Sequence, residues 1–590
     1  MTALNLASYS RNCRLLGVKL KLPTPSPILS YKEIFGEPPP RDFIGLVQHI
    51  SRQELIANFA SSNNRLKPPE KVYYDTSIAR QWDELRLFCG QNQLLFKFYQ
   101  SRILSFVPQG TRWTIFNRVS NLHAAELIIS AQGLNDANDF TMKVKDWDNL
   151  VKFYLCINVE VFQDTELEDK NEKLEFLEFY SSKFVSSNQY SIETNPIYTL
   201  YRAGRFFKFI DQSSRYKNSI TNYFKEGLKC TPEYFLNQIF SLISFKKNDI
   251  PLLKFVYHVV DEEARRIFDF LSVPRSKIGT RKLEFLSIKK KPFYKNTESL
   301  YSLLDSQFLI EKTYDLFVND LWFDYLSRDL NAVEERTRAL NIYRTTVGYF
   351  FESYIREILT IALDKYRYPP LKCFDDLKSS KDGIELADIY LRHNKKILLG
   401  EAKSGAINAQ QMYSNYSDEF YKNNIDKFYD DFGLNQLTKY LVRLRDRGRE
   451  FDDKFPDGKI VQVFPILLFA ERSLRSGLFA ESFAERFKKM YDPKDYPRFD
   501  IRPLCMIHIE EFEYVCGYLQ QRGSKDLDLF DLIRLNHNGL VYPQSFTTTL
   551  NKLRIPFKVP APIKEFFIGL QKVIERERND VSSVSFEVQD

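Results

Sequence analysis

Two neighbouring segments before residue 405 most constrain the fold, because each places charge within an apolar run. The segments are Gly383–Asp388 and Lys396–Lys403, and both are predicted to be β-strands. Successive side chains of a strand alternate between its faces, so Glu401 and Lys403 share one face. Buried charges are costly unless they are paired or bind a ligand. The pattern therefore predicts a site for a divalent metal and a phosphate at the end of adjacent strands.

The acid-x-Lys triplet at residue 401 is informative only because of its context. At 27% charged residues, such triplets arise by chance. Four other such triplets are present, at Glu168–Lys170, Asp376–Lys378, Asp452–Lys454 and Asp492–Lys494. None of these four follows a continuous apolar run with a second strand-borne acid upstream. The alternative interpretation of the triplet at 401 is a solvated hairpin edge.

A carboxylate upstream is predicted to face inward from a helix. The segment 347–359 has the period of an amphipathic helix, with Gly348, Glu352, Ile355 and Leu359 along one stripe. An inward carboxylate needs a partner, so Glu352 is predicted to contribute to the same site. A structural ion pair with a buried Lys or Arg is the alternative.

A second predicted helix follows the strands and begins near Leu434. Gln436, Tyr440, Arg443 and Arg447 lie along one face of it. An amide beside a metal can hold a water or a phosphate oxygen, and the arginines could follow a nucleic-acid backbone. An ordinary surface glutamine is the alternative interpretation of Gln436.

Together these residues resemble the PD-(D/E)xK nuclease superfamily, with features similar to its RecB-like branch. Ala387 stands where the superfamily's motif has proline. The resemblance implies a restriction-endonuclease-like mixed sheet flanked by helices. It also implies three groups of site residues: Asp388, Glu401 and Glu352 as ligands of Mg²⁺ or Mn²⁺; these three with Lys403 and Gln436 as catalytic residues; and Tyr440, Arg443 and Arg447 as nucleic-acid contacts.

The function that the resemblance implies is metal-dependent hydrolysis of phosphodiester bonds, with DNA as the expected substrate. Modules of this superfamily occur in restriction and anti-phage defence proteins. Two alternatives stay open: a nuclease-fold protein that binds nucleic acid or a partner without catalysis, and an RNA-cleaving enzyme of the same fold.

The chain as a whole is predicted to be α/β, with a mostly helical N-terminal region. A chain of 590 residues with 44% hydrophobic residues can form two or three domains. The predicted divisions are a helical region of unknown role, 1–275, with a sub-boundary near 181–196; a nuclease-like domain, 276–550; and a C-terminal helix and tail, 551–590.

Several segments have strand or helix patterns. Strands are predicted at Val18–Leu22, Leu283–Ile288, Lys459–Ala470 and Pro503–Ile509, and helices at Leu474–Tyr491 and Glu510–Gln521. The acid-free N-terminus faintly resembles a transit peptide, and a folded strand is the preferred interpretation.

Composition bounds the partners and the compartment. The net charge of +7, from 84 basic and 77 acidic residues, permits nucleic-acid binding without arguing for it. Seven scattered cysteines without a C-x-x-C motif argue against disulfides and zinc and favour the reducing cytoplasm. No apolar run approaches the ~20 residues of a membrane span, so no membrane association is expected. The N-terminal region could bind a regulatory partner or form a homo-oligomer.

Overall fold

Secondary structure in the first half of the chain is mainly helical. The computed structural model describes residues 28–67, 74–108, 110–136, 140–162, 178, 194–243, 255–274, 284–363, 371–379, 382–405, 425–456, 460–523, 526–538 and 546–580. Its first helices are α1 Tyr31–Phe35, α2 Arg52–Leu66, α3 Ile78–Phe88, α4 Gln93–Phe106, α5 Arg118–Ser130, α6 Val144–Val161, α7 Pro196–Gln212, α8 Ser219–Gly227 and α9 Pro232–Ile243.

Polar caps define where several of these helices begin. The side chain of Ser77 accepts a hydrogen bond from the Arg80 amide at the start of α3, and Asn92 accepts one from the Leu95 amide at the start of α4. Such caps satisfy amides that have no partner within the helix. Short polar residues before apolar-periodic segments thus fix these helix starts.

A small antiparallel sheet follows the first nine helices. Its strands are β1 Val256–His258, β2 Phe293–Lys295 and β3 Leu300–Leu303, in the order β1-β3-β2. The helices around it are α10 Glu262–Phe270, α11 Leu286–Lys290, α12 Ser306–Glu311, α13 Phe317–Asp320, a π-helical stretch Leu321–Leu326 and the long α14 Val333–Leu363.

The C-terminal half contains a six-stranded mixed sheet. Its strands are β4 Leu371–Cys373, β5 Ile389–His393, β6 Lys396–Lys403, β7 Val461–Phe469, β8 Phe499–Ile501 and β9 Cys505–His508. The order is β4-β5-β6-β7-β8, and β9 also pairs with β7. The β4–β5 and β5–β6 pairs are antiparallel, whereas β7 runs parallel to β6, β8 and β9.

Helices cover both faces of this sheet. The helices that follow β6 in the chain are α15 Leu434–Phe451, α16 Gly477–Lys489, α17 Ile509–Gln521, α18 Leu529–Asn538, α19 Phe546–Lys552 and α20 Ala561–Asp580. Alternation along β6 divides the two faces: Ile397 and Leu399 pack in the core that contains α15 and α16, and Leu398 packs in the core that contains α14 and α17.

The cores group the chain differently from the predicted division at residue 275. Helices α7 to α9 share one core with the α14 side of the large sheet. A separate core joins helices α1 to α6 to Val273, Phe285 and Phe308. Residues on both sides of position 275 therefore lie in each of these two cores.

Two strand predictions are wrong, and one falls outside the described residues. The predicted strand Gly383–Asp388 does not form, and β5 begins directly after it at Ile389. The segment predicted as strand 283–288 instead leads into α11, which begins at Leu286. Phe285 and Ile288 are both fully buried in one core, and residues three apart share a face on a helix but not on a strand. The predicted strand Val18–Leu22 and residues 181–193 lie outside the described part of the chain. In that described part, no helix has the length and apolar character needed to cross a membrane.

Candidate active site

The ends of β5 and β6 bring the predicted acidic residues together. Asp388 immediately precedes β5, and Ile389 pairs with Gly400 in the antiparallel register. Asp388 Oδ2 accepts a hydrogen bond of 2.8 Å from the amide of Ala402. The hairpin pairing therefore places Asp388 beside the end of β6, where Glu401 lies.

Glu401 and Lys403 lie on the same face of β6, as predicted. Lys403 Nζ is 2.6 Å from Glu401 Oε1. Their parallel partners on β7, Leu467 and Phe469, belong to the core on the α15 side. The site thus occupies the carboxyl end of β6 and opens from the face that α15 covers.

Electrostatics of the two carboxyl groups favour a cation. Burial and, to a smaller extent, the neighbouring Asp388 raise the pKa of Glu401 to about 7, against the opposing effect of Lys403. Burial also raises the pKa of Asp388, against the hydrogen bond from the Ala402 amide. Glu401 is 2% exposed, and its Oε2 is enclosed without a hydrogen bond. One lysine therefore balances the buried Glu401 and the half-buried Asp388, and the enclosed oxygen suits a further positive charge.

The start of α15 presses against this pair. Gly433 caps the helix with φ +88°, a left-handed conformation that glycine adopts without steric cost. A Cβ there would lie 2.6 Å from Glu401 Cγ and 2.8 Å from Lys403 Cε. Gly433 was not among the predicted site residues, although a glycine directly before an apolar-periodic helix was a visible signal.

We expect Gly433→Ala to destabilise the protein and displace both charged side chains. The left-handed backbone costs a residue with a Cβ about 1–2 kcal/mol, and the close contacts add to this. Thermal unfolding measured by circular dichroism tests the prediction. The matched control is Gly569→Ala within α20, where nothing lies near a Cβ and alanine should be neutral or stabilising. Equal melting temperatures for the two variants would contradict the prediction.

Tyr440 and Gln436 approach the site from α15. The buried Tyr440 hydroxyl donates a hydrogen bond of 3.1 Å to Asp388 Oδ1, and burial raises the pKa of that hydroxyl well above its usual value. Gln436, one turn before Tyr440, is half-buried, and its Oε1 is enclosed without a hydrogen bond. Both Asp388 oxygens are therefore held by donors, and Gln436 carries an unused acceptor.

The two arginines predicted to contact nucleic acid have partners within the chain. Arg443 donates to the Glu385 carbonyl, and Arg447 pairs with Asp382 and Glu450. These bonds tie the segment before Asp388 to α15. As the structure stands, the arginines position the acid-bearing segment.

Glu352 lies on the helix that covers the opposite face of the sheet. The inward face of α14 is centred on Phe350, Phe351 and Tyr354, and Glu352 is half-buried at its border. Ile355 and Leu359 of the predicted stripe are buried in this core, whereas Glu352 stays at its edge. A Cβ on Gly348, one turn before Glu352, would lie 3.7 Å from Ser404 Oγ, so α14 passes the end of β6.

The possible metal ligands that the structure joins are two carboxylates. Over the described ranges, no group of three or more His, Cys, Asp and Glu side chains is arranged to hold a metal ion. Asp388 and Glu401 nevertheless fit a hard cation that keeps several waters, because Mg²⁺ uses one or two protein carboxylates. No protein family, curated protein or solved structure matches this chain.

Proposed function

We propose that the protein is a metal-dependent nuclease that hydrolyses phosphodiester bonds, with DNA as its substrate. The observation that carries the proposal is the carboxylate pair at the end of β6, the buried Glu401 and the half-buried Asp388, with Lys403 beside it. Two carboxylates beside one ammonium group suit a cation and a phosphate together. A cation alone or a phosphate alone would not use all three groups.

The fold is compatible with this proposal. The acids lie at the open end of an antiparallel hairpin, β5–β6, which continues into the parallel strand β7. Helices α14 and α15 cover opposite faces of this sheet. We infer a restriction-endonuclease-like arrangement, and restriction or anti-phage defence is the setting that such a module suggests.

The side chains would divide the work. Asp388 and Glu401 would hold Mg²⁺ or Mn²⁺, and Glu352 stays a predicted further ligand. A bound divalent ion supplies Lewis-acid stabilisation of the phosphate and lowers the pKa of a bound water. Lys403 would leave Glu401 and neutralise charge that develops on phosphorus. Tyr440 and the Ala402 amide fix the orientation of Asp388.

The test is a cleavage assay of the purified full chain on single- and double-stranded DNA and RNA. We expect cleavage of DNA with Mg²⁺ or Mn²⁺ and none with EDTA. Cleavage of RNA alone would favour the RNA-cleaving alternative. Binding that survives EDTA, with no cleavage under either metal, would contradict the proposal and favour a non-catalytic nucleic-acid-binding protein. The absence of a third grouped ligand among the described residues is the observation that favours this alternative.

A further inference from the structure

The first half of α14 stands out from the core. Between residues 333 and 349, Tyr343 is the one buried residue, whereas the second half of the helix is packed against the large sheet and α17. A helix of 31 residues spans roughly 45 Å, so about half of that length lies at the surface. Its apolar face, formed by Ala339, Leu340, Tyr343 and Val347, packs against the core and leaves the opposite face exposed.

One exposed stripe runs along this half. Arg338, Asn341, Thr345 and Tyr349 recur at three- and four-residue spacing, which places them on one helix face. Arg344 flanks this face and is also exposed. We call these five residues the α14 stripe.

The charged and aromatic groups of the stripe are available to a ligand. Within the described part of the chain, Arg338 and Arg344 make no ion pair or side-chain hydrogen bond. Tyr349 is 60% exposed and stacks on no other described ring. The acids Glu334 and Glu335 lie in the first turn, where they interact favourably with the helix dipole. Two arginines and one aromatic ring without a partner among the described residues therefore lie between this acidic end and the sheet.

The α14 stripe ends near the strand end that carries the candidate active site. Gly348 lies beside Tyr349 in the chain, and a Cβ there would be 3.7 Å from Ser404 Oγ. Ser404 directly follows Lys403. From Arg338 to Tyr349 the helix rises about 16 Å, so the stripe leads along the surface toward the end of β6.

We propose that the α14 stripe binds single-stranded nucleic acid and leads it to the site at Asp388 and Glu401. The proposal deepens the nuclease function above and rests on it. Arg338 and Arg344 would contact phosphates, and Tyr349 would stack on a base. A duplex keeps its bases stacked inside, whereas an exposed ring needs an unpaired base. The stripe therefore selects single strands over duplexes.

Binding of labelled oligonucleotides to the full chain in EDTA tests this proposal without cleavage. Fluorescence anisotropy should show tighter binding of a single-stranded DNA or RNA oligonucleotide than of the matching DNA duplex. Tyr349→Ala should raise the dissociation constant about five- to 100-fold, the range for loss of one base–aromatic stack. Tyr349→Phe keeps the ring and should bind like the unaltered chain.

Charge reversal supplies the second arm of the experiment. Arg338→Glu with Arg344→Glu should weaken binding at least tenfold and reduce its salt dependence. The matched control is Arg86→Glu, which alters an exposed arginine on α3. Helix α3 packs in the separate N-terminal core, so this change should have no effect on affinity beyond its charge.

Either of two results would overturn the proposal: duplex binding as tight as single-strand binding, or a Tyr349→Ala variant with unchanged affinity. Failure of nuclease activity is a separate result, because binding in EDTA does not depend on a metal or on cleavage. Tighter binding of the DNA or of the RNA oligonucleotide would support the proposal and identify the preferred sugar.

Discussion

Glu401→Ala is expected to reduce cleavage by about 1,000-fold or more, roughly 4 kcal/mol of transition-state stabilisation. Glu401 is buried with an enclosed oxygen beside Asp388, so its removal takes away half of the carboxylate pair that would hold the metal. Lys403→Ala should cause a loss of similar order, because the charge on the phosphate would no longer be neutralised. Initial rates with Mg²⁺ or Mn²⁺ measure both effects.

Metal binding separates the roles of these two residues. Calorimetric titration with Mn²⁺ should show loss of binding in Glu401→Ala. Lys403→Ala should bind Mn²⁺ at least as tightly as the unaltered chain, because Glu401 Oε1 no longer pairs with an ammonium group. The matched controls are Asp492→Ala and Lys494→Ala, which alter an exposed acid-x-Lys triplet. Full cleavage in both site variants, or lost cleavage in the controls, would refute the assignment.

Arg202→Met should cost about 3–5 kcal/mol of stability, the largest effect we expect outside the site. Arg202 on α7 is 1% exposed and makes bonds of 2.8–3.0 Å to Glu513 on α17, which is fully buried. Tyr354 donates a further bond of 2.7 Å to Glu513. Removing the guanidinium leaves a buried carboxylate without its cation. Urea and thermal unfolding measure the loss.

The pH dependence of this loss follows from Glu513. Burial raises the pKa of its carboxyl group above the usual value, and Arg202 opposes this shift. Without Arg202 the pKa rises further, so the unfolded chain releases the proton at a lower pH than the folded chain. The loss should therefore be larger at pH 8 than at pH 6.

A double variant provides the control for the buried pair. Arg202→Met with Glu513→Gln removes both charges of this pair and keeps an acceptor for the Tyr354 hydroxyl. It should be more stable than Arg202→Met alone at pH 8. A double variant that is less stable than the single one would show that the lost packing, and not the uncompensated charge, governs the effect.

Local pattern correctly predicted which side chains lie together at the end of β6. Alternation along β6 places Ile397 and Leu399 in one core and Leu398 in the other, and the same alternation puts Glu401 and Lys403 together. The helix at Leu434 was predicted by its period and begins there. Strand and helix periods are local properties, so these predictions needed no tertiary information.

Other features depend on contacts that no local pattern contains. The inward face of α14 includes Ile355 and Leu359 of the predicted stripe. It also includes Phe350 and Tyr354, so Glu352 lies at its border. The contact of Gly433 with Glu401 joins residues more than 30 positions apart. The sequence around Arg443 does not show whether its side chain binds a phosphate or, as in the structure, a carbonyl of its own chain. The functional roles of all these residues stay predictions.

The shared core of α7 to α9 and the C-terminal helices has a consequence for synthesis. Helix α20 packs against α7 and α9, and the rings of Phe240 and Phe567 lie 4.9 Å apart. Roughly 300 residues separate the end of α9 from the start of α20. At about 5–20 residues per second, a ribosome needs roughly 15–60 s to cover that distance. Helices α7 to α9 therefore expose apolar surface until α20 has been synthesised. A chaperone that shields this surface should raise the yield of folded chain.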